Sequence, residues 1–501
     1  MPSDSASAAG LLIAGTSSDA GKSIITAGLC RAFARRGVRV APFKAQNMSN
    51  NSMVCAGGGE IGRAQYLQAQ AAGVIPTTAM NPVLIKPGTD RRAFVVVRGQ
   101  AAGTLEAGEY ATERRQLADA AFEAYAELAG EYELVICEGA GSPAEINLRA
   151  HDFINMGLAR RFNLPTIVIG DIDRGGILAS LYGTWALLEA EDRALIQGFL
   201  INKFRGDERV LAPGLDMITE RTGVPFLGTI PWLEQVWLDS EDTLQPARWT
   251  RLGIGKSMES LRIAVVRLPR ISNATDLDAL ASEPGVELLF TVDPLVCEAV
   301  DLLILPGSRS TVGDLQWLRE RGIADVVARR AASGRSILGI CGGYQMLALE
   351  ITDDVESESG SVKGLGLLPT QVEFDTSKTL GRPTGQWEGI DVEGYTIHHG
   401  TPRYALKHTS ALVQQESLPF LDGFTSGSVW GTMWHGIFEN DEFRRAWLSQ
   451  IARNAHSAWQ PHADSPNFHD HRERMLNTLA DAMEAHVDLE ALTLLAKRAG
   501  N

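Results

Sequence analysis

The 501-residue chain reads as an α/β protein made of two doubly wound, parallel-sheet domains, and three observations predict this. Apolar runs at 11–14, 38–43, 94–97, 134–137, 166–169 and 198–201 alternate with helical stretches such as 111–130 and 177–190. Strands alternating with helices argue for a parallel sheet with crossover helices. The alternation stops after Gly228-Thr229-Ile230-Pro231-Trp232, gives way to a polar stretch containing Pro246, Gly253 and Gly255, and restarts at Leu261-Arg262-Ile263-Ala264-Val265-Val266. Proline and glycine in a polar stretch are linker chemistry. The expected organisation is a first domain over 10–235, a linker over 236–260, a second domain over 261–455, and a tail over 456–501 that is polar and loop-like to Arg474 and helical from 475 to 498. A chain of this length supports two or three full cores.

The first strand, Leu11-Leu12-Ile13-Ala14, leads into Gly15-Thr16-Ser17-Ser18-Asp19-Ala20-Gly21-Lys22-Ser23 and then an amphipathic segment, 24–36. Strand, loop and helix in that order make a phosphate loop: backbone N–H groups cradle phosphates, Lys22 supplies charge and the Ser23 hydroxyl reaches a magnesium ion. A strict Walker A pattern asks for glycine at position 16, where this chain has Thr16.

The next strand, Val40-Ala41-Pro42-Phe43, ends in Lys44 and opens the string Gln46-Asn47-Met48-Ser49-Asn50-Asn51-Ser52. Leu134-Val135-Ile136-Cys137 ends in Glu138, and Phe199-Leu200-Ile201 ends in Asn202. Gly170-Asp171-Ile172-Asp173-Arg174-Gly175-Gly176 follows the strand at 166–169. Strand ends are where a doubly wound sheet places its ligands. A carboxylate such as Glu138 suits magnesium, which prefers oxygen donors and keeps several waters. The two polar strings suit a pocket for a polar, carboxylate-bearing molecule, although Asn, Ser, Asp and Gly also dominate ordinary turns.

In the second half, Leu303-Ile304-Leu305-Pro306-Gly307-Ser308-Arg309-Ser310 is a strand ending in a Pro-Gly turn. Ile337-Leu338-Gly339-Ile340-Cys341-Gly342-Gly343-Tyr344-Gln345-Met346-Leu347 is a strand, a cysteine flanked by glycines, and a helix start. A cysteine there has nucleophile geometry, because the helix N-terminus stabilises a thiolate and the glycines admit an incoming carbonyl. The Gly342 N–H faces a developing oxyanion. His435, in Thr432-Met433-Trp434-His435-Gly436-Ile437-Phe438-Glu439, is the candidate base, with His398 and His399 as competitors.

These stretches carry two resemblances. Residues 261–440 resemble a class I glutamine amidotransferase domain of flavodoxin-like fold, which hydrolyses glutamine through a cysteine thioester, and the 303–310 segment resembles that family's oxyanion loop, which implies oxyanion contacts at Gly307 and Ser308 beside Gly342. That family usually has a glutamate two residues after the histidine, where this chain has Ile437. The expectation is therefore a Cys341–His435 dyad, with Glu439 the nearby carboxylate available as a third member. The loop Gly-Thr-x-x-x-x-Gly-Lys-Ser, Lys44, Glu138 and Asn202 resemble dethiobiotin synthetase and its relatives, P-loop enzymes that spend ATP on activating a carboxylate or carbamate. That likeness implies ATP contacts at Thr16, Ser17, Gly21, Lys22, Ser23, Lys44 and Asn202, and Mg²⁺ at Ser23 and Glu138.

An amidoligase domain of this kind, fused ahead of a glutaminase domain, resembles the glutamine-hydrolysing corrinoid amidoligases. The Gln46–Asn51 string is absent from the members that form the a,c-diamide. The resemblance implies a corrinoid acid, glutamine and ATP as substrates, with Gln46, Asn47, Asn50, Asp171, Asp173 and Arg174 toward the acceptor. It implies amidation of the b, d, e and g carboxylates of adenosylcobyrinic acid a,c-diamide to give adenosylcobyric acid. Two other classes stay open: a partitioning-type P-loop ATPase, and an amidotransferase acting on a nucleotide base.

Composition narrows the partners. Formal net charge is −15 with no long basic block, which disfavours nucleic acid and anionic membranes. Lys22, Lys44, Arg91, Arg92 and Arg174 offer a local patch for phosphates and carboxylates. No apolar run approaches the roughly 18 residues needed to span a bilayer, and Met1-Pro2-Ser3-Asp4-Ser5 lacks the basic start of a secretory signal, so a cytoplasmic protein is expected. The five cysteines are scattered without paired metal spacing, and reducing surroundings suit a catalytic thiol.

Overall fold

The computed structural model describes residues 9–88, 92–106, 110–234, 236, 260–405, 417–462 and 464–499. Arg91, and the expected linker apart from Val236 and Ser260, lie outside the described residues.

The front body is built on six parallel strands in the spatial order Phe226–Pro231, Ile196–Phe204, Thr166–Asp171, Ala9–Gly15, Leu134–Glu138, Val40–Phe43. Helices cover both faces, so the central strands read as near-continuous apolar runs and are buried almost throughout. From Ala9–Gly15 the chain runs out to Val40–Phe43, returns to fill the gap with Leu134–Glu138, then crosses to the other side at Thr166–Asp171. The phosphate-loop strand thus lies at the reversal of strand order, the crevice where such sheets bind ligands.

One expected strand of this sheet lies elsewhere. The run at 94–97 belongs to Arg92–Val97, in a separate sheet of order Gln46–Met48, Val83–Pro87, Arg92–Val97, Gln100–Glu106. Arg98 and Gly99, at φ +49° and +80°, form a tight turn that folds the run back on Gln100–Glu106 as an antiparallel hairpin. The sixth strand of the main sheet is instead Phe226–Pro231.

The rear body has seven strands in the order Val286–Thr291, Leu261–Val266, Leu302–Leu305, Ser336–Ile340, Val429–Thr432, Gly423–Ser426, Ser417–Phe420. The first five are parallel and the last two antiparallel. Ser336–Ile340, at the centre, delivers Cys341.

The tail differs from expectation: it forms two helices, Phe468–His486 and Leu489–Ala499. The break falls where Val487 bridges Gly228 and the Asp488 N–H donates to the Leu227 carbonyl at 2.8 Å, so edge-strand pairing interrupts the helix. Both helices return to the front body. Met475, Leu476, Leu479, Met483 and Leu492 share one core with Leu11, Ile13, Ile25, Leu29 and Phe33, and Arg35 pairs with Asp481 at 2.6 Å. Among the described residues no helix is long and apolar enough to cross a membrane.

Candidate active sites

The first centre grows from the loop after Ala9–Gly15. Gly21 sits at φ +100°, and a Cβ there would lie 2.1 Å from Asn202 Nδ2, so both backbone and space exclude a side chain. Lys22 Nζ donates to the carbonyls of Ser17 at 2.9 Å and Gly141 at 3.0 Å, spanning the loop mouth. Thr16 and Ser17 are half-buried along the same loop. Asn202 Nδ2 donates to the Ala20 carbonyl at 2.9 Å, closing the loop from the Ile196–Phe204 strand, two strands away.

Glu138 is the hub of this centre and is fully buried. One oxygen accepts from Ser23 Oγ at 2.7 Å and Lys44 Nζ at 2.9 Å, and the other accepts from Gln68 Nε2 at 2.6 Å. Burial alone would lift this carboxyl's pKa, but Lys44 and the hydrogen bonds outweigh it and hold it below the usual carboxylate range. The Ser23 and Glu138 oxygens are hard donors side by side. That fits magnesium, which takes few protein ligands and completes its shell with water and phosphate. Among the described residues there is no group of three or more His, Cys, Asp or Glu that could hold a metal ion.

Gln65 and Gln68, on the helix Arg63–Ala72, were not expected here. Both are buried and face Glu138, and their i, i+3 spacing is the only sequence signal that places them on one helix face. Gln65 Oε1 in turn accepts from Asn47 Nδ2 at 3.0 Å. Gln46 is buried beside Asn47 on Gln46–Met48, and Asn50 is half-buried. Asp171 accepts from Lys203 Nζ at 2.7 Å, and Lys203 also donates to the Asp19 carbonyl of the loop. Asp173 and Arg174 are exposed; the Asp173 N–H bonds Asp171 Oδ1, and Arg174 lies 3.4 Å from Asp19. Of the expected basic patch, Lys22 and Lys44 meet at this centre and Arg174 stands at its rim.

The second centre grows from Cys341, which holds φ +49° and ψ −108°, a backbone that L side chains rarely adopt. The turn is fixed by its surroundings: the Cys341 N–H donates to the Thr432 carbonyl at 2.8 Å. A Cβ on Gly342 would lie 2.7 Å from the Ser308 nitrogen, and one on Gly343 would lie 1.9 Å from the Leu305 oxygen. Those glycines let the elbow press against the Gly307–Ser308 turn, so the backbones of 308 and 342 converge. The Ser308 hydroxyl is engaged with Asp314 Oδ2 at 2.7 Å, and burial lifts the Asp314 pKa to about 6.

His435 is 1 % exposed. Its Nδ1 lies 2.7 Å from Asp276 Oδ2, and the other Asp276 oxygen accepts the Gly436 N–H at 2.9 Å. Burial is the strongest influence on the imidazole and pushes its pKa down. Asp276 and Cys341 together overcome it and raise the pKa to about 10. Tyr395 stacks on the ring at 5.2 Å between centroids.

Beside the expected Cys341–His435 dyad the structure places Asp276, a carboxylate on the histidine that sequence reasoning missed. Asp276 sits in the short turn Ala274–Leu277 after Ile271–Ser272, far from the motif in sequence. Glu439 does not take that place: Arg63 and Arg472 hold its carboxylate at 2.8 and 3.0 Å. Of the competing histidines, His399 Nδ1 lies 3.0 Å from the Asp375 carbonyl. His398 is pushed down to about 4, first by burial and then by His435.

The front part of the chain, residues 11–245, matches the family described as the CobQ/CobB/MinD/ParA nucleotide binding domain. Residues 262–443 match the CobB/CobQ-like glutamine amidotransferase domain. The chain is 62 % identical to a cobyric acid synthase of Cutibacterium acnes over 491 residues, covering 97 % of this chain and 100 % of that one. It is 52 % identical to cobyric acid synthases of Rhodococcus jostii, covering 96 % of this chain and 94 % of the relative, and of Streptomyces avermitilis, covering 96 % and 95 %.

Proposed function

Since the chain belongs to the cobyric acid synthase family, we propose that its front centre activates corrinoid carboxylates and that its rear centre supplies the ammonia that amidates them. The enzyme is a glutamine-hydrolysing, ATP-dependent amidoligase of cobalamin biosynthesis. The observation that carries the division of labour is a single segment: Gln46–Ser52 begins beside Glu138 through Asn47 and Gln65 and ends against the turn that carries Asp276.

In the rear centre, over about 261–455, Cys341 thiolate attacks the glutamine amide carbon. The developing oxyanion lies against the converging backbones of Ser308 and Gly342, beside Gly307. His435, charged and fixed by Asp276, donates its proton to the departing ammonia. Asp276 holds the ring orientation and stabilises the imidazolium. Water then releases glutamate from the thioester.

In the front centre, over about 10–235, Thr16, Ser17 and Gly21 shape the phosphate cradle, and Asn202 closes its edge toward the adenine. Ser23 and Glu138 would hold Mg²⁺, which would screen the triphosphate charge. Lys22 and Lys44 neutralise charge as the γ-phosphoryl passes to the acceptor carboxylate. Ammonia attacks the acyl phosphate and phosphate leaves, so one ATP is spent per amide. Gln46, Asn47 and Asn50, with Asp171, Asp173 and Arg174, face the acceptor. We assign the b, d, e and g carboxylates of adenosylcobyrinic acid a,c-diamide as the groups converted, giving adenosylcobyric acid.

Incubation with adenosylcobyrinic acid a,c-diamide, ATP, Mg²⁺ and amide-¹⁵N-glutamine tests this reading. Stepwise acid-to-amide mass changes carrying ¹⁵N support it. An unaltered corrinoid under both glutamine and ammonium sinks it.

A further inference from the structure

We infer that the front-body hairpin of strands Ser52–Val54 and Glu60–Gly62, together with Asn51, positions the acid and base of the glutaminase centre. This rests on the assignment of Cys341, His435 and Asp276 made above.

The hairpin reaches both halves of the Asp276–His435 pair. On the acid side, Asn51 Oδ1 accepts the Ala274 N–H at 3.1 Å and Asn273 Oδ1 accepts the Ser52 N–H at 2.9 Å, a reciprocal clamp between the two bodies. Asn273 holds φ +50° as it enters the Ala274–Leu277 turn, and its carbonyl accepts the Asp276 N–H at 3.0 Å. The clamp therefore fixes the backbone that aims the Asp276 carboxylate.

On the base side, Met53, Val54, Cys55, Ile61 and Tyr66 share an apolar cluster with Tyr395 and Ile397. Tyr395 is the ring stacked on His435, and the two residues exchange backbone hydrogen bonds of 3.0 and 2.8 Å. The hairpin is itself tied down, since Ser52 Oγ donates to Glu60 Oε1 at 2.7 Å and Glu60 Oε2 pairs with Lys378 of the rear body at 2.5 Å. Nothing in the hairpin touches glutamine chemistry directly; it acts through Asp276 and His435. Displacements of about 1 Å in such a constellation cost on the order of 100-fold in rate. Glutamine hydrolysis is thereby made to depend on a segment that begins at the ligase centre.

The test uses the full-length enzyme and two variants. Asn273→Gly removes the acceptor for Ser52 while glycine keeps the left-handed backbone without strain. Asn51→Ala removes the partner acceptor. The expected result is a fall of roughly 10- to 100-fold in kcat for glutamine hydrolysis, up to the cost of a 1 Å misplacement, with KM for glutamine and ammonium-driven amidation unchanged. Hydrolysis at or above the wild-type rate in both variants overturns the inference, as does equal loss of ammonium-driven amidation in both. Asp276→Asn separates the two levels. If it leaves hydrolysis intact, the assignment of the acid is wrong; if it cripples hydrolysis while the clamp variants do not, only the positioning role falls.

Discussion

His435 and Asp276 stand 159 residues apart in the chain and 2.7 Å apart in the fold. Their bond places a carboxylate behind the histidine proposed to serve Cys341. It also sets the protonation of the ring, because the Asp276 charge opposes the burial that would otherwise neutralise it.

Replacing Asp276 by Asn should lower glutamine-dependent amidation by roughly 100-fold or more while sparing amidation from ammonium, as expected when an imidazole loses its orienting carboxylate. The pH profile gives a second readout. His435 is raised to about 10, so the charged ring, and the stability it lends, is fully present below its unfolded pKa of about 6.5 and is lost as pH rises through about 10. The alkaline limb of glutamine hydrolysis should move to lower pH in the variant. An unmoved limb would show that Asp276 does not govern the ring.

Cys341→Ala should abolish glutamine-dependent synthesis and preserve synthesis from added ammonium, because the acyl-phosphate centre needs only ammonia. Parallel assays with the two nitrogen sources check this. Loss of both in a folded variant would contradict two separable centres.

Lys22→Ala should remove ligation while glutamine hydrolysis persists. Lys22 bridges Ser17 and Gly141 at the loop mouth of the front centre. Glutamate release and amide formation, measured in one reaction, should diverge; unimpaired ligation would mean that the loop holds no phosphate.

Lys44→Met should destabilise the front body, because it leaves the Glu138 carboxylate buried without its cation. Breaking one side of a buried pair costs about 3–5 kcal/mol; Ser23 and Gln68 still donate to Glu138, which places the expected loss near the lower end. Denaturant titration measures it. The double variant Lys44→Met with Glu138→Gln should recover most of the loss, and a double variant as unstable as the single one would contradict a charge-pair origin.

Much of this architecture is legible in the sequence, and for stated reasons. The phosphate loop, Lys44, Glu138 and Asn202 all sit at ends of apolar runs, so recognising the strands locates the crevice. Cys341 is legible because glycine-flanked cysteine between strand and helix has few other uses. Asp276 is not, since its part is set by a turn that tertiary packing brings beside His435, and an Asp among Asn, Thr, Ser and a second Asp resembles any polar loop. The strand at 94–97 falls outside the main sheet, and period and composition do not reveal which sheet a run joins; the Arg98-Gly99 turn does. Gln65 and Gln68 escape notice because neutral amides on a helix look like surface residues until the helix is seen to cover a buried carboxylate.

The tail helices Phe468–His486 and Leu489–Ala499 roof the sheet that carries the phosphate loop. The glutaminase is thus, in connectivity, an insertion whose two ends are both anchored to its neighbour. Cutting the polypeptide after the front sheet would strip an apolar roof from Leu11, Ile25 and Phe33, so the ligase half should aggregate when expressed alone to residue 235, and regain solubility when residues 464–499 are grafted on.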